Sequence, residues 1–221
     1  MQLIISLINS ERNTQMADKI NISDLKFETY ADKSLKVFSQ MIAEPDNKFG
    51  IGSIAAEAAA NCAALALRAV KKTASEDPAI ETAEKDLETM RAYFVHLIDE
   101  ENKAKAPLEK RLANNGPEDE IEGGVRTACA IVDEILYAVI NTVNMLGSVS
   151  DKLCPCTAHI AVSSLFFARA AMDTVRVQLA MYSGMMNEEV YARTTRREPE
   201  IAIADFEPTI SALIKKLEDM I

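Results

Sequence analysis

Ile80-Glu81-Thr82-Ala83-Glu84-Lys85-Asp86-Leu87-Glu88-Thr89-Met90-Arg91-Ala92-Tyr93-Phe94-Val95-His96-Leu97 carries the clearest periodicity in the chain. Ile80, Ala83, Leu87, Met90, Phe94 and Leu97 recur at alternating steps of three and four. That spacing lays them along one side of an α-helix, and such a stripe is buried against neighbouring elements. Continued at the same spacing, the stripe meets Glu101, Ala104 and Leu108. A carboxylate therefore stands where the pattern asks for an apolar side chain. Pro78 suits the first turn of this helix, and Pro107 is expected to kink or end it.

The flanking sequence repeats the helical theme. Ser23 can cap a helix over residues 24–43, with Leu25, Phe27, Tyr30, Leu35, Phe38 and Ile42 among its apolar positions. After the loop Glu44-Pro45-Asp46-Asn47-Lys48, residues 54–74 form a second helix rich in alanine. Small residues on several faces let backbones approach closely, so this helix is expected at the centre. Asn114-Asn115-Gly116-Pro117 is a break. Further helices are expected over 124–146 and 157–182, with a short amphipathic one from Phe206 to Ile221. The resulting expectation is an all-α fold, an antiparallel bundle of long helices, with residues 23–221 as one domain. Residues 1–22 read as an N-terminal extension, and Met16 offers an alternative start.

Composition agrees with this reading and excludes others. Gly and Pro number only seven each in 221 residues, too few for the turns of an all-β chain. The 48% hydrophobic content is ample for a core. A net charge of −10 without a long basic run argues against a nucleic-acid partner. Arg193, Arg196 and Arg197 stand beside Glu198 and Glu200 and read as a solvated helix end. Met1 to Ile8 lacks the basic start and small-residue cleavage site of a signal peptide. No apolar stretch is expected to reach membrane-spanning length. Cys62 and Cys129 fall in helical patterns, and Cys154 and Cys156 are too close for an ordinary structural bridge. These features lead to the expectation of a soluble, cytoplasmic protein.

Four stretches could carry chemistry. Phe49-Gly50-Ile51-Gly52-Ser53 precedes the alanine-rich helix, where glycines let backbone N–H groups approach a ligand. It also reads as a tight loop with Ser53 as helix cap. Leu97-Ile98-Asp99-Glu100-Glu101-Asn102-Lys103-Ala104 contains the misplaced carboxylate. Burial of Glu101 would raise its pKa, as suits proton transfer near neutral pH; an exposed or ion-paired Glu is the other reading. Cys154-Pro155-Cys156-Thr157-Ala158 leads into the fifth helix. With His159 it offers soft ligands, but the spacing matches no standard zinc pattern, so no metal is expected. Thr174-Val175-Arg176-Val177-Gln178-Leu179 offers a guanidinium and an amide. Arg176 also reads as part of a solvated ladder with Asp173 and Arg169.

In this order the four stretches resemble the cyclodeaminase/cyclohydrolase family of folate one-carbon metabolism, over residues 23–190. The first is similar to the family's Pro-Gly-Gly-Gly-Ser, with Gly50, Gly52 and Ser53 retained and Phe49 a departure. The second resembles an acidic stretch with Asp-x-x-Ala-Phe. Glu101 matches the family's proposed acid/base Asp, Ala104 matches the Ala, and Lys105 replaces the Phe. The third places Pro155 and Cys156 where the family has Ser-Asp. The fourth is similar to Asn-Val-Arg-Ile-Asn-Leu, with Arg176 retained.

The resemblance implies a homodimeric helical bundle that hydrolyses methenyltetrahydrofolate to 10-formyltetrahydrofolate. The related possibility is cyclisation of formiminotetrahydrofolate with release of ammonia. It implies Glu101 as the catalytic group, and Gly50, Gly52, Ser53, Cys156, Arg176 and Gln178 as substrate-binding residues. The folate is the substrate, and no separate cofactor is implied. The alternative is a non-catalytic relative that binds a ligand or a partner protein, as the departures at Phe49, Lys105, Pro155 and Cys156 suggest.

Overall fold

In the computed structural model, residues 29–45, 50–73 and 75–221 are described. The expected N-terminal extension, the Ser23 cap, Leu25, Phe27 and Phe49 lie outside these residues. Every regular element among them is helical. The helices are α1 (Leu35–Ala43), α2 (Ile51–Thr73), α3 (Pro78–Ala113), α4 (Glu118–Val149), α5 (Ala158–Ser183) and α6 (Glu189–Glu218). Two single turns, Ser150–Lys152 and Pro155–Thr157, link α4 to α5.

α3 follows the stripe. Asp77 caps it through the Ala79 N–H and Pro78 opens it. Ile80, Ala83, Leu87, Phe94, Leu97 and Leu108 are all buried. α2 is the central helix, packing against α3, α4 and α5. Seven of its alanines, from Ala55 to Ala69, are buried. Among the described residues, a single buried cluster draws on α1 to α6.

Ion pairs show how the helices alternate in direction. Lys152 meets Asp77 at 2.6 Å and Lys216 meets Asp151 at 2.6 Å, at one end of the bundle. Arg126 meets Glu188 at 2.6 Å towards the other. Exposed pairs such as these add little stability. The bundle is therefore antiparallel, with the starts of α2, α4 and α6 at the end where α3 and α5 finish.

Several boundaries differ from the sequence expectation. The first helix does not span 24–43, because residues 29–34 are not helical and α1 starts at Leu35 behind the Ser34 cap. Asp99 Oδ1 accepts the Tyr30 N–H at 2.6 Å, which holds that backbone against α3 in place of a helical turn. α3 runs through Pro107 to Ala113. Proline removes a single helical donor, and here Leu108 is locked in place by close packing. A Cβ on Gly124 of α4 would stand 3.2 Å from the Leu108 Cα, so the two backbones nearly touch. The terminal helix is not short: α6 starts at Glu189 and continues through Pro199 and Pro208. Burial of Pro199, Ile210, Leu213, Ile214 and Leu217 offsets the lost bonds.

The expectation about membrane-spanning length also needs correction. Ile51–Thr73 and Glu118–Lys152 are long and apolar enough to pass that test. Both are packed in the bundle, with half or more of their most apolar stretch buried. In the first, alanine raises mean hydropathy enough to mimic a span while serving close packing; in the second, valine, isoleucine and leucine do so.

Candidate functional site

α2 begins three residues earlier than expected, and this places Gly52 and Ser53 inside its first turn. Ser53 is therefore not the helix cap. Its side chain points into the bundle and is fully buried, as is Glu101 on α3, at 0% exposure each. Ser53 Oγ lies 2.8 Å from the Ile98 carbonyl oxygen and 2.8 Å from Glu101 Oε2.

A hydroxyl carries one proton. Ser53 Oγ can donate it either to the Ile98 carbonyl or to Glu101 Oε2, and in the second case it stabilises the carboxylate. Given to Ile98 instead, it leaves Ser53 Oγ free to accept from a protonated carboxyl. Electrostatics also act in both directions. Burial pushes the Glu101 pKa above its ordinary value, while Lys105, the Ser53 hydroxyl and the Ser53 N–H pull against that shift. Two opposed influences on one carboxyl bring its charged and neutral forms closer in energy.

The glycines serve this carboxylate more directly than expected. A Cβ at Gly50 would lie 2.0 Å from Glu101 Oε2, and one at Gly52 would lie 2.6 Å from Glu101 Cγ. Their place beside the acid is one that only glycine can fill without something shifting.

Gly50 also lines a cleft of about 310 Å3. Lys105, Glu109, Gln178 and Tyr182 supply polar groups to it, and Leu108, Met181 and Met185 supply apolar wall. Gly50 lines the cleft and lies against Glu101, and Tyr182 lines it within electrostatic reach of the acid. Lys105 is buried and pairs with Glu109 at 2.9 Å. Glu101, Lys105 and Glu109 thus follow one another at i, i+4 and i+8 along α3. This spacing is visible in the sequence and marks Lys105 as a partner of the acid.

Among the described residues, the buried Glu101 Oε1 and Tyr182 hydroxyl have no hydrogen-bond partner. Gln178 lies beside that hydroxyl without forming a bond of full geometry. Burial, then the Glu101 charge, raise the Tyr182 pKa. Unpaired buried polar atoms are uncommon and call for a partner. Tyr182 carries no motif in the sequence, and its place one turn after Gln178 is the signal that could have found it.

A test of this arrangement is Tyr182→Phe. Removing an unpaired buried hydroxyl is expected to stabilise the ligand-free chain by about 1 kcal/mol, because its desolvation is no longer uncompensated. Thermal unfolding measures this; a lower melting temperature would mean that the hydroxyl already has a partner within the fold.

The remaining sequence candidates divide. Gln178 is buried and lines the cleft. Arg176 sits on the outer side of α5 and pairs with Asp173 at 3.4 Å, while Arg169 turns to Glu207 of α6 instead of joining that ladder. Cys156 is not brought to this site within the chain. It lies past the far end of α2, where the Cys154 N–H donates to Thr73 Oγ1 at 3.2 Å. The twenty residues from Ser53 to Thr73 rise about 30 Å along α2. Cys156 is joined to Cys154 in a disulfide, a pairing that the sequence reading set aside. Among the described residues, no group of three His, Cys, Asp or Glu side chains could hold a metal ion.

Comparison with known proteins places the fold. No family model matches the chain, and no curated protein matches it. Among solved structures, formiminotetrahydrofolate cyclodeaminase from Thermotoga maritima superposes with a TM-score of 0.72 at 18% identity. The match covers 86% of this chain and 96% of that one. The two chains share a fold, and the helical bundle is what the resemblance implied.

Proposed function

We propose that the chain is a folate one-carbon enzyme that hydrolyses methenyltetrahydrofolate to 10-formyltetrahydrofolate, with Glu101 moving the proton. The observation that carries this reading is a fully buried carboxyl, in contact with Ser53, Gly50 and Gly52, beside a cleft with polar and apolar walls. The shared fold with a cyclodeaminase supports it.

Water must add to the one-carbon bridge, and the bridge must then leave one of its two nitrogens. Both protons leave the attacking water as its oxygen becomes the formyl carbonyl; one arrives at the leaving nitrogen and the other is released, since the substrate is cationic. A single carboxyl can take a proton from the water and give one to the nitrogen if its two forms are close in energy. Burial and Lys105 push Glu101 in opposite directions towards that balance. Gln178 and Tyr182 would hold the edge of the ring system, and Leu108 and Met181 its faces. Glu101 is covered in the ligand-free chain, so catalysis requires Gly50 or Tyr182 to shift and open the layer between acid and cleft. The same proton transfers would serve cyclisation of formiminotetrahydrofolate with ammonia release, the reaction named for the structural neighbour.

The test is an absorbance assay with methenyltetrahydrofolate, run beside an ammonia-release assay with formiminotetrahydrofolate. Turnover that depends on Glu101 supports the reading. Binding of either folate without turnover would favour the non-catalytic relative, a reading that the enclosure of Glu101 also supports.

In this proposal the protein is a cytoplasmic homodimer that needs no metal or second cofactor. Phe166, Phe167, Val177 and Met181 are exposed on α5, an apolar face suited to a second copy. Light scattering at micromolar concentration is expected to give twice the mass of the chain, and a monomer would count against the dimer.

A further inference from the structure

We propose that Cys154-Pro155-Cys156 is a thiol–disulfide exchange site, distinct from the Glu101 cleft, that cycles with small disulfides and thiols of the glutathione class. The two residues are bonded through sulfur, and their Cα atoms are 5.3 Å apart. This distance lies within the usual range for a disulfide, so closure needs no large backbone movement.

The bond does not act as a structural staple. A disulfide stabilises mainly by closing a loop in the unfolded chain, and more so for longer loops. This one spans a separation of two residues, so it removes very little freedom. The loop is already held by other means. The Cys154 N–H donates to Thr73 Oγ1 at 3.2 Å. The Thr157 N–H and hydroxyl both donate to the Cys154 carbonyl at 2.8 Å. These bonds do not involve sulfur, so they persist when the disulfide opens and keep the two thiols adjacent.

Reactivity is divided between the sulfurs. Cys156 is exposed and Cys154 is half-buried. Cys156 stands two residues before α5, a 26-residue helix whose positive end favours a thiolate. Cys62 and Cys129 are unlike this pair. Both are buried, and burial pushes their thiols up to about 11 and about 12, which keeps them protonated and inert.

The oxidative half-cycle is balanced. The Cys156 thiolate attacks one sulfur of a small disulfide, a mixed disulfide forms, and one small thiolate leaves. The Cys154 thiolate then attacks Cys156 Sγ and displaces the second small thiolate. Two electrons pass from the protein dithiol to the small disulfide. The two protons released by the cysteines are taken up by the departing thiolates. The reverse sequence reduces the pair.

The experiment equilibrates the full-length protein in buffers of graded reduced-to-oxidised glutathione ratio, quenches with an alkylating reagent and weighs the peptides. The Cys154–Cys156 peptide is expected to pass reversibly from two alkyl groups to none across the series. Cys62 and Cys129 are expected to stay unlabelled while the chain is folded. A Cys154→Ser variant should retain glutathione on Cys156, since the resolving thiol is gone. Circular dichroism should show that this variant melts with the parent, as a short loop implies. A peptide that stays fully reduced in oxidised glutathione, or fully bonded in reduced glutathione, would overturn the proposal. So would failure of Cys154→Ser to capture glutathione while folded.

Discussion

For the proposed reaction, replacing Glu101 with Gln is expected to lower turnover by about 10²–10⁴-fold, the usual range for removing a positioned acid–base group. The same variant is expected to be more stable than the parent at neutral pH, and the sign follows from proton linkage. In the folded chain, burial raises the Glu101 pKa above its ordinary 4.5. Between those two values the folded state holds a proton that the unfolded state has lost. The stabilising contribution is therefore complete below the ordinary value and is lost as pH rises through the folded value. Gln carries no charge to desolvate and has no such dependence. Melting curves of the two proteins should converge in acid and separate as pH rises towards neutral, with the parent falling behind. Parallel curves at all pH values would remove the claim that Glu101 titrates abnormally. Unchanged turnover would remove its catalytic role.

Substituting Gly52 with Ala should cost about 1–3 kcal/mol, the range for forcing extra carbon into a packed interior. The added Cβ would stand 2.6 Å from Glu101 Cγ, and Glu101 cannot swing aside easily because Oε2 is held by Ser53. The direction is informative, because Ala is otherwise favoured over Gly within a helix by about 1 kcal/mol. Combining Gly52→Ala with Glu101→Ala removes the clashing atoms. In that background the same Ala should become neutral or stabilising. Such non-additivity identifies a direct contact. Chemical denaturation of the four proteins measures it, and additive effects would refute the close approach.

Helix type and helix order were legible in the residues. The stripe from Ile80 to Leu108 predicted α3, and the alanines of α2 predicted its central place. Glu101 was also visible, as a charge on an apolar stripe. These signals are local, because helix periodicity is written in neighbours three and four positions apart. Boundaries were less legible where a distant group intervened. Asp99 takes the backbone N–H of Tyr30 from 69 residues away and delays the start of α1. Packing of Leu108 against Gly124 carries α3 through Pro107, which a local reading takes as a stop.

The composition of the site depended on contacts between helices. Ser53 is 48 residues from Glu101, and the hydrogen bond between them exists only because α2 and α3 pack antiparallel in one register. Tyr182 joins them from α5 and Lys105 from the next turn of α3. Conversely, Arg176, which matched its motif, and Cys156, which stood where the motif has Asp, went elsewhere, the first to the outer side of α5 and the second to the opposite end of α2. Periodicity states which side of a helix is buried. The relative register and rotation of neighbouring helices are set by how their side chains interlock, and those two quantities decide which polar groups meet.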